Sequence, residues 1–216
     1  MRWDWSAVAA FLPYFWHGVL VTLEALVLGS LIAFALGLLW ALAQRSRLRA
    51  VRWPVTAATE FVRNTPLLVQ LFFLYFVLAN WHLPAPELTT GVIGLGLHYS
   101  TYTAEVYRAG IEGVPVGQWE ACTALSLPPS RIWRAVILPQ AIRRVVPALG
   151  NYVISMLKDS PTIAVIGASE MLGQARQFSA DTFQPTEPIT VIGVAFILIA
   201  YPASLLMRAL ERRLVR

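Results

Sequence analysis

One cysteine, one lysine and three histidines are all that 216 residues offer of the side chains that cross-link, grip phosphate or bind metals. The single thiol, Cys122, excludes an internal disulfide and says nothing firm about redox compartment. His17, His82 and His98 are scattered without ligand spacing, so no metal site follows. Lys158 follows a leucine inside an apolar run, and no glycine-rich loop precedes it to cradle nucleotide phosphates. A metal protease would need a His-Glu-x-x-His helix, which is absent; the chain is read as no enzyme, with no catalytic residue and no cofactor of its own. Charge is scarce too. Only 13% of residues are charged against 57% apolar, which excludes an ordinary soluble domain. The net charge of +5 comes from arginines at the ends of apolar runs. There they suit anionic lipid headgroups and membrane orientation better than nucleic acid.

What is present is a series of long uncharged runs. They predict an all-α membrane protein forming one domain over 1–216, with spans at about 18–43, 55–79, 88–111, 145–166 and 189–207. Residue 1 onward shows no removable signal peptide; Trp3, Trp5, Tyr14 and Trp16 read as interfacial anchors of the first span. Gly29, Ala33 and Gly37 recur every four residues and offer a smooth face for a neighbouring helix. Glu24, the only charge in that span, either snorkels or pairs with a neighbour. Pro66 is expected to bend the second span and to free carbonyls near Val62 that need other partners. Span three carries Gly91, Gly94 and Gly96, then a hydroxyl-rich stretch with Glu105 and Arg108 at i, i+3. Ser160-Pro161 resembles a cap and first helical turn, so span four is expected to stop and restart there. An outer loop is expected from 169 to 188. Arg45, Arg47, Arg49 and Arg52, the arginines at 131, 134, 143 and 144, and Arg208, Arg212, Arg213 and Arg216 all fall on one side if five spans place the N-terminus outside. Arg2 and Arg176 remain outside. The C-terminus is then cytoplasmic.

One polar segment, 115–140, interrupts this pattern and reads as a cytoplasmic helical hairpin. Trp119, Cys122 and Leu125 are spaced for one helix face; Pro128-Pro129 stops that helix, and Ser130 is a candidate N-cap for the next. Ile132, Val136 and Ile137 share a face of that second helix.

The same segment resembles the EAA loop of permease subunits of bacterial ABC importers: EAA, three residues, Gly, nine residues, I-x-L-P. Glu120-Ala121-Cys122 stands for EAA, Ser126 for the glycine and Val136-Ile137-Leu138-Pro139 for the end, with the spacing kept throughout. Cys122, Ser126 and Val136 depart from the pattern, and serine takes a positive φ less readily than glycine. FVRNTPLLVQLFFLYF, TYTAEVYRAGIEGVPVGQWEA and LPQAIRRVVPALGNYVISMLKDSP extend the resemblance over most of the chain, to the polar amino-acid uptake branch. That branch commonly has Gly at Asn64 and Thr-Ser at Ser160-Pro161. LGLHYSTYTAEVYRAGIEGVP and YPASLLMRALERR are most similar to the ectoine and hydroxyectoine permease chain.

The resemblance implies the type I permease fold in a bacterial inner membrane and a coupling role for Glu120, Ala121, Cys122, Ser126, Pro128, Leu138 and Pro139. It also implies partner chains: ATPase subunits holding ATP and magnesium, a second permease subunit, and an external solute-binding protein. Amino acids and ectoine are zwitterions, so a path needs both signs and neutral hydrogen-bonding groups. Asn64, Thr65, Tyr102, Glu105, Lys158, Asp159 and Ser160 are the candidates. The alternative for these charges is that Glu60 with Arg63, Glu105 with Arg108, and Lys158 with a carboxylate only neutralise one another. An ion-gradient-driven transporter or channel subunit is the rival function, with Glu105 and Asp159 as its coupling carboxylates.

Overall fold

Glycine and alanine on two helices decide where the chain packs most tightly. In the computed structural model, which describes residues 3–81 and 83–214, helix α1 (Trp5–Gln44) and helix α5 (Glu87–Glu112) run parallel and in close contact. His82, Arg2 and Arg216, weighed above, lie outside the described residues. A Cβ on Gly37 would stand 2.0 Å from the Thr103 hydroxyl, and one on Gly96 2.6 Å from an Ile32 methyl. The Thr103 hydroxyl donates to the Ala33 carbonyl at 2.7 Å. The small-residue face of α1 is therefore in use, and its partner is the glycine-rich half of α5.

Two parallel neighbours need a returning segment between them. Helix α2 (Arg49–Asn64), helix α3 (Leu67–Phe72), a π-helical turn (Phe73–Val77) and helix α4 (Leu78–Asn80) supply it. This segment is bent by 105° between α2 and α3, a far sharper corner than a proline kink in a continuing helix. Helix α6 (Val116–Ala124) follows α5. A first turn, α7 (Pro129–Arg131), then passes through a π-helical stretch (Ile132–Ile137) into helix α8 (Leu138–Asp159). A 3₁₀ helix (Ser160–Ile166), helix α9 (Met171–Thr182) and helix α10 (Thr186–Leu214) complete the chain. No strand occurs among the described residues.

The central core joins Ala25, Ala33, Leu71, Leu95, Met156 and Ile163, from α1, α3, α5, α8 and the 3₁₀ helix. Helices α1 and α10 are each long and apolar enough to cross a membrane, and the bent α2–α4 pair makes a third candidate. Helices α5 and α8, of 26 and 22 residues, are long enough to cross but carry the polar faces described below.

Several expectations need correction. The first helix begins at Trp5, ahead of the span expected at 18–43; its 40 residues extend about 60 Å, twice the hydrocarbon thickness. Its early turns are held because Phe11 packs with Met171, Ala175 and Phe178 of α9. The segment expected as a loop at 169–188 thus contains a helix, and the i, i+4, i+7 spacing of those three residues is its signal. Ser160 is not an N-cap but closes the end of α8. Its hydroxyl donates back to the Leu157 carbonyl at 2.8 Å, and the chain tightens into 3₁₀ geometry instead of restarting as α-helix. Glu24 is exposed and has no ion-pair partner among the described residues.

Glu170 is the true cap of this region. It is fully buried, and its Oε1 accepts from the Gly173 N–H at 2.8 Å while Oε2 has no partner among the described residues. Burial pushes its carboxyl up to about 7, against the pull of the Leu172 and Gly173 N–H groups. The fold prefers the neutral acid, so this contribution to stability is in place below about pH 4.5 and lost as pH rises through about 7. Glu170→Gln should flatten the fall of the thermal midpoint between pH 5 and 8, by up to about 3 kcal/mol. An unchanged pH slope would show that the carboxyl is ionised throughout.

Candidate functional site

The corner between α2 and α3 is where the site begins. Thr65-Pro66 breaks the helix, because proline lacks a donor and holds the residue before it extended; Thr65 has φ −93 and ψ 129. The carbonyls left open do find a partner. Gln70 Nε2 donates to Val62 O at 2.7 Å and Thr65 O at 2.8 Å, and stands 2.9 Å from His98 Nδ1 on α5. One buried amide thus ties the two arms of the corner to the neighbouring helix. Its Oε1 is buried without a partner among the described residues.

From His98 a polar face descends along α5 at helical spacing. His98, Tyr102, Glu105, Arg108 and Glu112 lie at i, i+4, i+7, i+10 and i+14. Tyr102 sits among aromatic rings, 5.9 Å from Tyr99 and 5.6 Å from Tyr152 of α8, centroid to centroid. Above it, the Tyr99 hydroxyl donates to Asp159 at 2.6 Å. Below it, Glu105 pairs with Arg108 on its own helix and with Arg63 of α2 at 3.4 Å. Arg63 also pairs with Glu60, and Arg108 with Glu112 at 3.0 Å. Three carboxylates thus share two guanidinium groups in one ladder. Glu105 and Arg63 keep about a third of their side chains exposed, so the ladder has an open side.

The candidates therefore divide. Tyr102, Glu105 and Asp159 come together through Tyr99, Tyr152 and Arg63. Asn64 and Thr65 lie at the corner, but their side chains serve their own helix: Asn64 Nδ2 donates to Glu60 O at 2.8 Å and Thr65 Oγ1 to Phe61 O at 2.8 Å. Lys158 is exposed and has no carboxylate partner among the described residues, contrary to the pairing held open for it. Ser160 is turned away into the core. The pairs Glu60–Arg63 and Glu105–Arg108 do form, and the Arg63–Glu105 bridge links them between helices. Sequence reasoning missed Gln70, Tyr99 and Tyr152, and left Arg63 as a neutralising charge. Gln70 was discoverable, as the one amide side chain in the apolar run Leu67 to Ala79 that follows Pro66.

The second part of the site is the hairpin. Helix α6 turns Cys122, which is 3% exposed, and Trp119 inward, where Trp119 meets Trp133 edge-on at 5.4 Å. Val114, Ile137 and Ala141 form the buried centre of this contact. The opposite side of α6 presents Val116, Gly117, Glu120, Ala121 and Ala124 to solvent. Leu125 departs from its expected place and is 72% exposed, because α6 ends at Ala124 and the backbone turns outward. Ser126 takes φ 50, with Ser126 N–H to Thr123 O at 2.9 Å and Leu127 N–H to Cys122 O at 3.1 Å. This is a left-handed helix terminus of the kind glycine favours, and the serine adopts it. Ser130 is not the N-cap of the second arm. Pro128 occupies that position, and Pro129 opens the helix with its φ already set. Leu138 and Pro139 begin α8, directly after the π-helical turns.

These features have known counterparts. Residues 25–216 match the family model for the inner membrane component of binding-protein-dependent transport systems. A probable amino-acid ABC transporter permease of Sinorhizobium fredii is 44% identical over 200 residues, 93% of this chain and 87% of its own length. The permease of an arginine transport system of Bacillus subtilis is 31% identical over 99% of this chain and 98% of its own. A crystal structure of an amino acid ABC transporter with histidines superposes with a TM-score of 0.94 at 35% identity, covering 99% of this chain and 100% of that one. The chain belongs to the inner-membrane components of binding-protein-dependent transport systems, and is a permease subunit of an amino-acid ABC importer with the type I fold.

Proposed function

We propose that this subunit carries a zwitterionic amino acid or amino-acid-like solute into the cytoplasm, past the face formed by Asp159, Tyr99, Tyr102, Tyr152, Glu105 and Arg63. The observation that carries this reading is the placement of both charge signs around an aromatic pair, the Tyr102 and Tyr152 rings 5.6 Å apart. An ammonium suits the carboxylates and the ring faces; a carboxylate suits Arg63. Asn64, Thr65, Lys158 and Ser160 border the path without joining this cluster.

Power comes from outside the chain. ATPase subunits holding ATP and magnesium grip the exposed side of α6 around Glu120 and Ala121; Cys122, Ser126, Pro128, Leu138 and Pro139 keep that peg stiff. A second permease subunit, identical or paralogous, closes the open side of the path, and an external binding protein delivers the solute. Five crossings place the N-terminus outside and the hairpin and C-terminus in the cytoplasm. Cys122 is buried, so side is best read at Gly117, whose Cβ would meet nothing within 4 Å. Gly117→Cys in a Cys122→Ser background should resist an impermeant thiol reagent in intact cells and react after lysis. Reaction in intact cells would overturn the orientation.

Among zwitterions, ectoine and hydroxyectoine come first for test because 95–115 and 201–213 resemble that branch. Arginine, named for the Bacillus subtilis system and carrying a guanidinium cation beyond its zwitterionic head, is the second arm. Uptake into vesicles should follow ATP and ignore an uncoupler, and the preferred solute should protect the purified binding protein against heat. Uptake abolished by the uncoupler would favour an ion-gradient carrier instead.

A further inference from the structure

The turn after α1 and the start of α2 hold the densest cationic stretch that the transport path does not use. Arg45, Arg47, Arg49 and Arg52 fall within eight residues. Every ion pair among the described residues is built on Arg63 or Arg108, so none of these four has a carboxylate partner. Arg45 lies over the Trp133 ring at 5.7 Å, which leaves three guanidinium groups uncompensated.

Their setting is apolar. Leu38, Leu39 and Leu42 expose between 44% and 62% of their surface on α1, and Arg45 follows Leu42 by three residues, about 5 Å of helix. The cations thus begin where the exposed apolar belt ends. Leu48 and Trp53 are exposed beside them, at 67% and 68%. Arg52 and Trp53, with Thr56 and Ala57, line a shallow concavity of about 390 Å³. On α2 the helical repeat gathers Arg49, Arg52 and Thr56 on one side and Ala50, Val51, Pro54 and Phe61 on the other, and all of these are exposed. A soluble partner could take the basic side alone; a lipid boundary takes both.

We propose that the 45–57 segment is a binding site for the headgroup of an anionic phospholipid, with Arg47, Arg49 and Arg52 on the phosphate and Trp53 at the glycerol level. The assignment does not depend on which solute is carried or on how α6 is coupled.

The test uses the full chain purified in a neutral detergent, with lipid retention read by native mass spectrometry. Phosphatidylglycerol and phosphatidylcholine of the same acyl chains are the probes. Wild type should retain phosphatidylglycerol at least tenfold over phosphatidylcholine. Arg49→Gln with Arg52→Gln should weaken phosphatidylglycerol by about tenfold or more, leaving phosphatidylcholine unchanged. Arg212→Gln with Arg213→Gln, at the end of α10, should retain it as wild type does. If the first pair fails to fold, Arg47→Gln with Trp53→Leu reads the same loss. Equal retention of both lipids, or equal losses from the two arginine pairs, would overturn the site. Displacement of the lipid by millimolar inorganic phosphate would assign a free-anion site. Unchanged lipid retention with lost co-purification of the ATPase would assign an ATPase contact.

Discussion

Glu120→Lys, and separately Ala121→Asp, should leave the subunit in the membrane at normal levels while solute uptake falls tenfold or more and ATP hydrolysis no longer responds to solute. Both positions lie on the solvent side of α6, and neither contributes to the Trp119–Trp133 contact that holds the hairpin together. The fold should therefore tolerate them. A docking surface should not, because an unpaired charge enclosed at an interface costs about 3 kcal/mol or more, roughly two decades in affinity. Trp119→Ala is the contrasting case. It removes a half-buried ring from the inner side of α6, so it should lower the thermal midpoint together with uptake. Proteoliposomes containing the complete importer supply both readouts, labelled-solute uptake and phosphate release. Uptake at wild-type rates in Glu120→Lys and Ala121→Asp would remove this face from the coupling route.

How much of this arrangement was legible beforehand depended on distance along the chain. The hairpin was legible because its determinants are local: the inward pair Trp119 and Cys122 and the prolines at 128 and 129 act within a few residues, although α6 ends at Ala124, ahead of those prolines, on the left-handed turn at Ser126. Leu125 misled because periodicity was extended one residue past the helix end, where backbone direction, not hydrophobicity, sets exposure. Ser130 misled for a similar reason. Two prolines with preset φ satisfy the first turn without a hydroxyl cap.

The break at Pro66 and the need to satisfy Val62 O were also legible, since a missing donor is a property of sequence. Its sharpness was not. A 105° corner requires the packing of Leu71 and Leu74 against Gly94, twenty or more residues away. The Arg63–Glu105 bridge joins residues 42 positions apart, and Tyr99–Asp159 joins residues 60 apart. Neither spacing carries a local signature. Sequence could name Glu105 and Asp159 as candidates for the proposed path, but only the packing of α5 between α2 and α8 brings Arg63 to Glu105 and Tyr99 to Asp159.

Gln70→Leu should be the most damaging single change in the membrane part that alters no charge. Leucine matches glutamine closely in volume, so the core around Leu71 need not rearrange. What is lost is the donor that serves Val62 O and Thr65 O and reaches His98. The Thr65 carbonyl would lose its donor, at about 1–3 kcal/mol, Val62 O would keep only the Thr65 N–H at 3.2 Å, and the corner would no longer be tied to α5. The expected result is a thermal midpoint lowered by several degrees and uptake reduced tenfold or more. Gln70→Glu keeps the shape but replaces the donor with an anion facing two carbonyl oxygens, so it should be at least as harmful at neutral pH. The corner also sets where Arg63 stands, in the last turn of α2 just before the break at Thr65-Pro66, and through Arg63 it sets the charge opposite Glu105. Loss of the tie should therefore change solute affinity as well as stability. That distinguishes it from a packing defect against the α1-facing side of α5, such as Gly37→Ala, which should lower the midpoint while leaving the affinity of the folded importer near that of wild type. If Gln70→Leu retains wild-type uptake and affinity, the corner is held by the apolar contacts of Leu71 and Leu74 alone. The hydrogen-bonded amide would then be incidental to transport.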